Sequence, residues 1–145
     1  VSKGAEVTAT ARSGAAALPV RPGEKHWTQK ELAEVRQELQ DEADGLRRDI
    51  SAAESEIAER LGDAVGDAGD DSADAGAKTF QREHELALTQ NARELLGQTE
   101  RVLAKITDGT YGVCESCGKA IGKARLQAFP RATLCLACKQ REERR

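Results

Sequence analysis

From residue 32 onward, Leu32, Val35, Leu39, Leu46, Ile50, Ala53, Ile57 and Leu61 recur in steps of three, four and seven along an otherwise polar stretch. That spacing puts them on one stripe of an α-helix. Thr28 and Glu31 stand just ahead of the stripe as Thr-x-x-Glu, a capping box in which each side chain satisfies the other residue's unpaired N–H. Trp27 and Leu32 have the spacing of a hydrophobic staple across the same start. The pattern predicts a helix of about 34 residues, roughly 50 Å long. Residues 62–76 then hold four glycines and five aspartates, which break the periodicity and read as a turn. A second stripe follows at Phe80, His84, Leu88, Ala92, Leu95, Thr99, Val102, Leu103 and Ile106. It predicts a helix of about 28 residues. Asp108-Gly109 supplies the stop, with glycine suited to the left-handed cap. His84 falls on this stripe and reads as a seam residue, not a catalytic one. Two narrow stripes joined by a short acidic turn predict an antiparallel coiled-coil hairpin over residues 27–109, with an acidic tip at 62–76.

The flanks differ from the hairpin. Residues 1–26 are rich in Ala, Gly, Ser and Thr, show no periodicity, contain His26 and run through Pro22-Gly23. They read as a disordered arm, because small residues bury too little surface to offset chain entropy. Residues 110–145 carry the remaining signals. The fold class is therefore mainly α: a long hairpin, a small finger region at 110–145 and a basic helical tail opened by Cys138. Composition sharpens this picture. Aromatic residues are only 3% of the 145, too few for a rounded aromatic core, whereas charged residues are 32%. No run of 18 apolar residues occurs, so no membrane span is predicted, and no continuous apolar leader is seen. The expected location is the cytoplasm. Net charge is -3, distributed as +2 over residues 1–26, -5 over 27–61, -5 over 62–76, zero over 77–113 and +5 over 114–145. An acidic middle and a basic C-terminal end suit different partners.

The sharpest chemical signal is Cys114-Glu115-Ser116-Cys117-Gly118, then Cys135-Leu136-Ala137-Cys138, a C-x2-C-x17-C-x2-C spacing. A two-residue gap lets one turn present both thiolates to one metal, and Gly118 suits the positive φ of such a knuckle. Four thiolates close the shell of one structural Zn2+ and leave no position for a reactive water. Two disulfides, a redox Cys-x-x-Cys pair or iron are the competing readings. No βαβ pattern surrounds either pair. The stretch Lys119–Leu134 contains Pro130 and small apolar residues, and reads as a short hairpin or loop.

Thr110-Tyr111-Gly112-Val113-Cys114-Glu115-Ser116-Cys117-Gly118, Ile121-Gly122, Arg125-Leu126, Pro130 and Leu134-Cys135-x-x-Cys138-Lys139 closely resemble the DksA/TraR family of bacterial regulators. The resemblance covers about residues 28–145. It implies a coiled-coil hairpin on a globular part with a four-cysteine zinc finger and a C-terminal helix. It also implies binding to RNA polymerase, with the hairpin inserted in the secondary channel and an acidic tip near the active site. The family's tip motif is Asp-x-x-Asp-x-Ala. Asp71 and Asp74 match its two acids, Asp70 is their neighbour, and Gly76 stands where Ala is expected. Gly at that place loosens a helix start that Ala would support. Family members often act with guanosine tetraphosphate. Lys139 matches one of the basic positions involved, whereas Gln98 and Phe129 stand where bases are expected. A tetra-anion needs several cations, so the expectation is weak or absent alarmone binding.

No open metal site and no paired nucleophile and base are present, so an enzyme is not expected. No recognition-helix signature is present either, and sequence-specific DNA binding is not expected. A zinc-stapled nucleic-acid-binding module, favoured by the +5 segment, and a protein scaffold are the alternatives to a polymerase-binding regulator.

Overall fold

In the computed structural model, residues 14–64 and 72–145 are described. The order is a short 3-10 turn at Ala15–Ala17, then α1 (Gln29–Ala64), α2 (Ser72–Asp108), α3 (Lys123–Ala128) and α4 (Leu136–Glu143). One isolated antiparallel bridge, Val113 to Ala120, is the only β pairing among the described residues. No described helix is long and apolar enough to cross a membrane.

The start of α1 follows from its capping box. Thr28 N–H donates to the Glu31 carboxylate at 3.0 Å, and Glu31 N–H donates to the Thr28 hydroxyl at 3.1 Å. Trp27 and Leu32, the two halves of the staple, both belong to the core cluster. Asp108 ends α2, and Gly109 takes φ +82°. Thr110 N–H then reaches back to the Lys105 carbonyl at 3.0 Å, closing the left-handed stop.

The chain divides into two compact units. Among the described residues, one comprises 14–41 and 99–145, the other 42–64 and 72–98. The first holds an apolar cluster of Leu18, Trp27, Val35, Leu39, Val102, Ile106, Tyr111, Ile121 and Leu126, with Cys114, Cys135 and Cys138 among its members. The second is a pair of helical stretches. Ion pairs join Glu54 to Arg93 and Arg60 to Glu85, so residue numbers fall on α2 as they rise on α1. The stretches are antiparallel.

Three expectations need correction. Residues 14–26 are not a disordered arm: Ala15 and Leu18 are buried in the core cluster, and residues 1–13 lie outside the described residues. Small size did not prevent packing, because Leu18 and Trp27 supply the anchors. Of the turn expected at 62–76, residues 62–64 and 72–76 are helical, since α1 reaches Ala64 and α2 opens at Ser72, and residues 65–71 lie outside the described residues. Ala73, Ala75 and Ala77 favour helix around Gly76, whose own cost is only about 1 kcal/mol.

The third correction concerns the seam of α2. Phe80 (74% exposed), His84, Leu88 and Leu95 face solvent, while Arg82, Glu85, Thr89, Ala92 and Leu96 turn inward. His84 is therefore not a seam residue. Steps of four, as in 80, 84, 88 and 92, drift about 40° per step around a helix of 3.6 residues per turn. The inward set alternates steps of four and three and holds one face. On α1 the expected stripe is half-buried or buried from Leu32 to Ile57, and Leu61 is exposed.

Candidate metal centre

Gly112 to Ile121 fold into a tight knuckle. Ile121 N–H donates to the Gly112 carbonyl and Cys114 N–H to the Lys119 carbonyl, both at 2.8 Å. Gly118 N–H closes the turn onto the Cys114 carbonyl at 3.0 Å, with Gly118 at φ +75°. This turn presents Cys114 and Cys117 side by side. The second pair comes from the start of α4. Cys135 is its N-cap, and the Cys135 sulfur accepts the N–H of Cys138. The helix thus begins at Leu136, two residues before the expected start. Between the pairs lies α3, a six-residue helix where a hairpin or loop was expected. Its Leu126 is fully buried, and that burial gives the segment a reason to coil.

The four sulfurs lie within 4.8 Å of one another, and Cys117 Sγ is 3.9 Å from Cys135 Sγ. Four Zn–S bonds of about 2.3 Å in a tetrahedron require S···S separations of about 3.8 Å. A disulfide requires about 2.05 Å, and all four cysteines are free thiols. The donor set and its spacing fit one structural Zn2+. Three ligands are buried and Cys117 is exposed.

The protein also prepares the donors electrostatically. Burial works against ionisation of Cys114, but N–H groups of Cys117, Cys135 and Ser116 overcome it and hold the thiol at about 6. Cys135 N–H reaches the Cys114 sulfur at 3.3 Å. Cys135 is also lowered, chiefly by the N–H of Cys138. Cys138 is drawn down by Ser116, yet the neighbouring sulfurs and burial push it up to about 11. Four thiolates without a metal would repel, so their charge is spread unevenly until a cation joins them.

Supporting contacts hold the ligand-bearing segments. The buried Tyr111 hydroxyl donates to the Pro130 carbonyl at 2.9 Å, and burial pushes its pKa well above that of free phenol. Arg125 Nε donates to the Leu134 carbonyl at 3.2 Å, next to Cys135. Lys105 and Glu115 form an ion pair beside Cys114. Glu24 and Lys123, which no sequence pattern singled out, tie the segment before α1 to the start of α3. Glu24 is held below the usual carboxylate range, first by the N–H of Ala124. Glu31 lies at about 2, owing foremost to Lys123.

Asp74 lies in the first turn of α2 and is exposed, while Asp70 and Asp71 lie outside the described residues. Lys139 is exposed on α4, with its ammonium 3.9 Å from Glu143. Phe129 is exposed and covered on one side by the Arg125 guanidinium, 5.8 Å from the ring centroid, and Gln98 is half-buried.

Comparisons with known proteins agree with this geometry. Residues 109–144 match the model of the prokaryotic dksA/traR C4-type zinc finger. The RNA polymerase-binding transcription factor DksA of Escherichia coli K12 is 30% identical over 119 residues, 82% of this chain and 76% of that protein. The protein of the same name from Caulobacter vibrioides is 39% identical over 73 residues, 50% of this chain and 51% of that one. The structure of transcription factor DksA2 from Pseudomonas aeruginosa superposes with a TM-score of 0.66 at 28% identity, covering 80% of this chain and 85% of that one. A helical hairpin, a four-thiol centre with zinc spacing and an alignment that spans both make this chain a member of the DksA/TraR family of four-cysteine zinc-finger proteins.

Proposed function

We propose that this chain is a bacterial transcription regulator that binds RNA polymerase directly and is not itself an enzyme. One observation carries the reading: the likeness to a relative named as an RNA polymerase-binding transcription factor extends over 82% of this chain, through the helices as well as the finger. A closed four-thiolate shell supports a structural role for zinc and offers no site for catalysis by the metal. The bacterial cytoplasm, where polymerase works, is the location that follows from this partner.

The hairpin is the part that would enter the secondary channel. Asp71 and Asp74, with Asp70 beside them, would approach the active-site region, where carboxylates can act on bound Mg2+ and basic side chains. An exposed Asp74 in the first turn of α2 is consistent with such an approach. Lys139 is the sole matched basic position of an alarmone site, because Gln98 and Phe129 carry no charge. The polymerase complex is therefore proposed to bind guanosine tetraphosphate weakly or not at all.

The test is transcription in vitro from a ribosomal RNA promoter with the cognate polymerase. The unaltered protein is compared with Asp71→Asn/Asp74→Asn. An effect of the unaltered protein that disappears in the double variant is the expected result. Equal effects would leave the tip as a mere turn. Salt-sensitive binding to promoter DNA without polymerase would favour the nucleic-acid reading, to which the exposed Lys139, Arg141, Arg144 and Arg145 lend their charge.

A further inference from the structure

Residues 14–28 cross the finger as a strap. Its apolar anchors, Ala15, Leu18 and Trp27, are buried in one cluster with Tyr111, Ile121, Leu126 and three of the metal-binding cysteines. The Trp27 and Tyr111 rings lie 6.0 Å apart, centroid to centroid. Its polar anchor is Glu24. One carboxylate oxygen accepts the N–H of Lys123 at 3.0 Å and of Arg21 at 2.8 Å, and the other accepts the N–H of Ala124 at 3.0 Å. Lys123 answers from the finger, with its ammonium 3.3 Å from the His26 carbonyl oxygen and 2.6 Å from the Glu31 carboxylate.

These contacts fall at both ends of the knuckle. A Cβ built on Gly112 would stand 3.7 Å from the Pro19 carbonyl oxygen, and one built on Gly122 would stand 2.9 Å from Arg21 Cδ. Gly112 and Gly122 bracket the segment that carries Cys114 and Cys117. The strap thus grips the first cysteine pair from both sides without supplying a ligand. Opening the knuckle moves the surface on which the strap rests. Undocking the strap strips the N–H groups of Lys123 and Ala124 of their carboxylate and exposes Tyr111 and Leu126 to water.

We infer that strap docking and zinc retention form one linked equilibrium: the docked strap keeps the Cys114–Cys117 knuckle closed on the metal, and loss of the metal releases residues 14–28. Linkage makes the effect reciprocal, so whatever the strap contributes to holding zinc, zinc contributes to holding the strap. The N-terminal segment is then hidden while the finger is loaded and presented when it is empty. The device lies in the fold itself and does not depend on what the hairpin binds.

Two measurements on the full chain test it. The first is the rate of zinc release to an excess of a colorimetric chelator, in the zinc-loaded protein and in Glu24→Ala, with Glu34→Ala on the exposed face of α1 as the control. Loss of charge-assisted bonds of this kind corresponds to a release about tenfold faster in Glu24→Ala, with no change in the control. The second is hydrogen exchange of the unaltered protein before and after chelation, read at the hydrogen-bonded amides of Ala17, Leu18, Arg21 and Glu24. These amides are expected to lose protection together when zinc is removed, while amides in the middle of α1 keep theirs. Equal release from Glu24→Ala and the unaltered protein overturns the inference. So does a strap that stays protected in the zinc-free protein, a result that decides the matter even where the variant folds poorly.

Discussion

The two units are built from the same two helices, yet they are held by different physics. In residues 14–41 and 99–145, Trp27, Leu39, Val102, Tyr111, Ile121 and Leu126 are almost fully buried and touch the metal-binding cysteines through one cluster. In residues 42–98, only Ala43 and Thr89 are buried among the described residues, and Leu61, Phe80, Leu86 and Leu88 are each at least half exposed. Burial of a large apolar side chain contributes about 1.5–3 kcal/mol. The first unit collects many such contributions and a metal. The second relies on helix propensity, half-buried residues such as Leu46, Ile50, Ile57 and Leu96, and ion pairs at its surface. A metal-stapled finger can thus be rigid while a helical arm of the same chain is only loosely cored.

The comparison can be broken in order of effect. The largest change is expected from Cys114→Ser. Structural Zn2+ contributes on the order of 10 kcal/mol in small fingers, so this variant should lose bound zinc and the finger's cooperative unfolding transition. Its far-UV circular dichroism should keep most of the helical signal, because α1 and α2 do not need the thiolates. A collapse of the helical signal would show that the units are not physically distinct. Next comes a pair of truncations measured by chemical denaturation. Leu126→Ala removes a fully buried side chain and should cost about 2–5 kcal/mol. Leu86→Ala, at a side chain 50% exposed, should stay within about 0.5 kcal/mol. Equal costs would erase the contrast. The smallest change sharpens it. Thr89 sits in the seam and spends its hydroxyl on the Glu85 carbonyl of its own helix at 2.9 Å. Thr89→Val replaces that bond with a methyl and should raise stability by up to about 1 kcal/mol, seen as a higher melting temperature of the helical signal. A loss of stability would mean that the hydroxyl matters more than seam packing.

What was legible in the sequence was what a few neighbouring residues decide. The capping box at Thr28 and Glu31, the stop at Gly109 and the knuckle at Gly118 each depend on a span of three to six residues, and each formed as read. The four cysteines were legible because ligand chemistry leaves little freedom in spacing. The α1 stripe was legible because its large residues keep to one face. The α2 seam between residues 80 and 96 was not, since Phe80, Leu88 and Leu95 drew the reading onto a face that the structure leaves in water. Size alone did not reveal that Arg82, Glu85 and Thr89 form the inner row. The strap was hidden for another reason. Glu24 finds its partners about 100 positions along the chain, and no local pattern announces a bond between Glu24 and Ala124.

The ion pairs of the second unit have a consequence beyond their strength. Glu54 with Arg93 is an exposed pair and Arg60 with Glu85 a half-buried one at the edge of the seam, and exposed pairs are worth only about 0–1 kcal/mol. In a seam of alanine, threonine and half-buried leucine, a slip of one helix along the other by a heptad would meet little steric protest. It would, however, separate both pairs at once. They serve as alignment marks: they say little about how firmly the arm is closed and much about which of its residues stand opposite one another, as notches on two rulers fix a scale without gluing it.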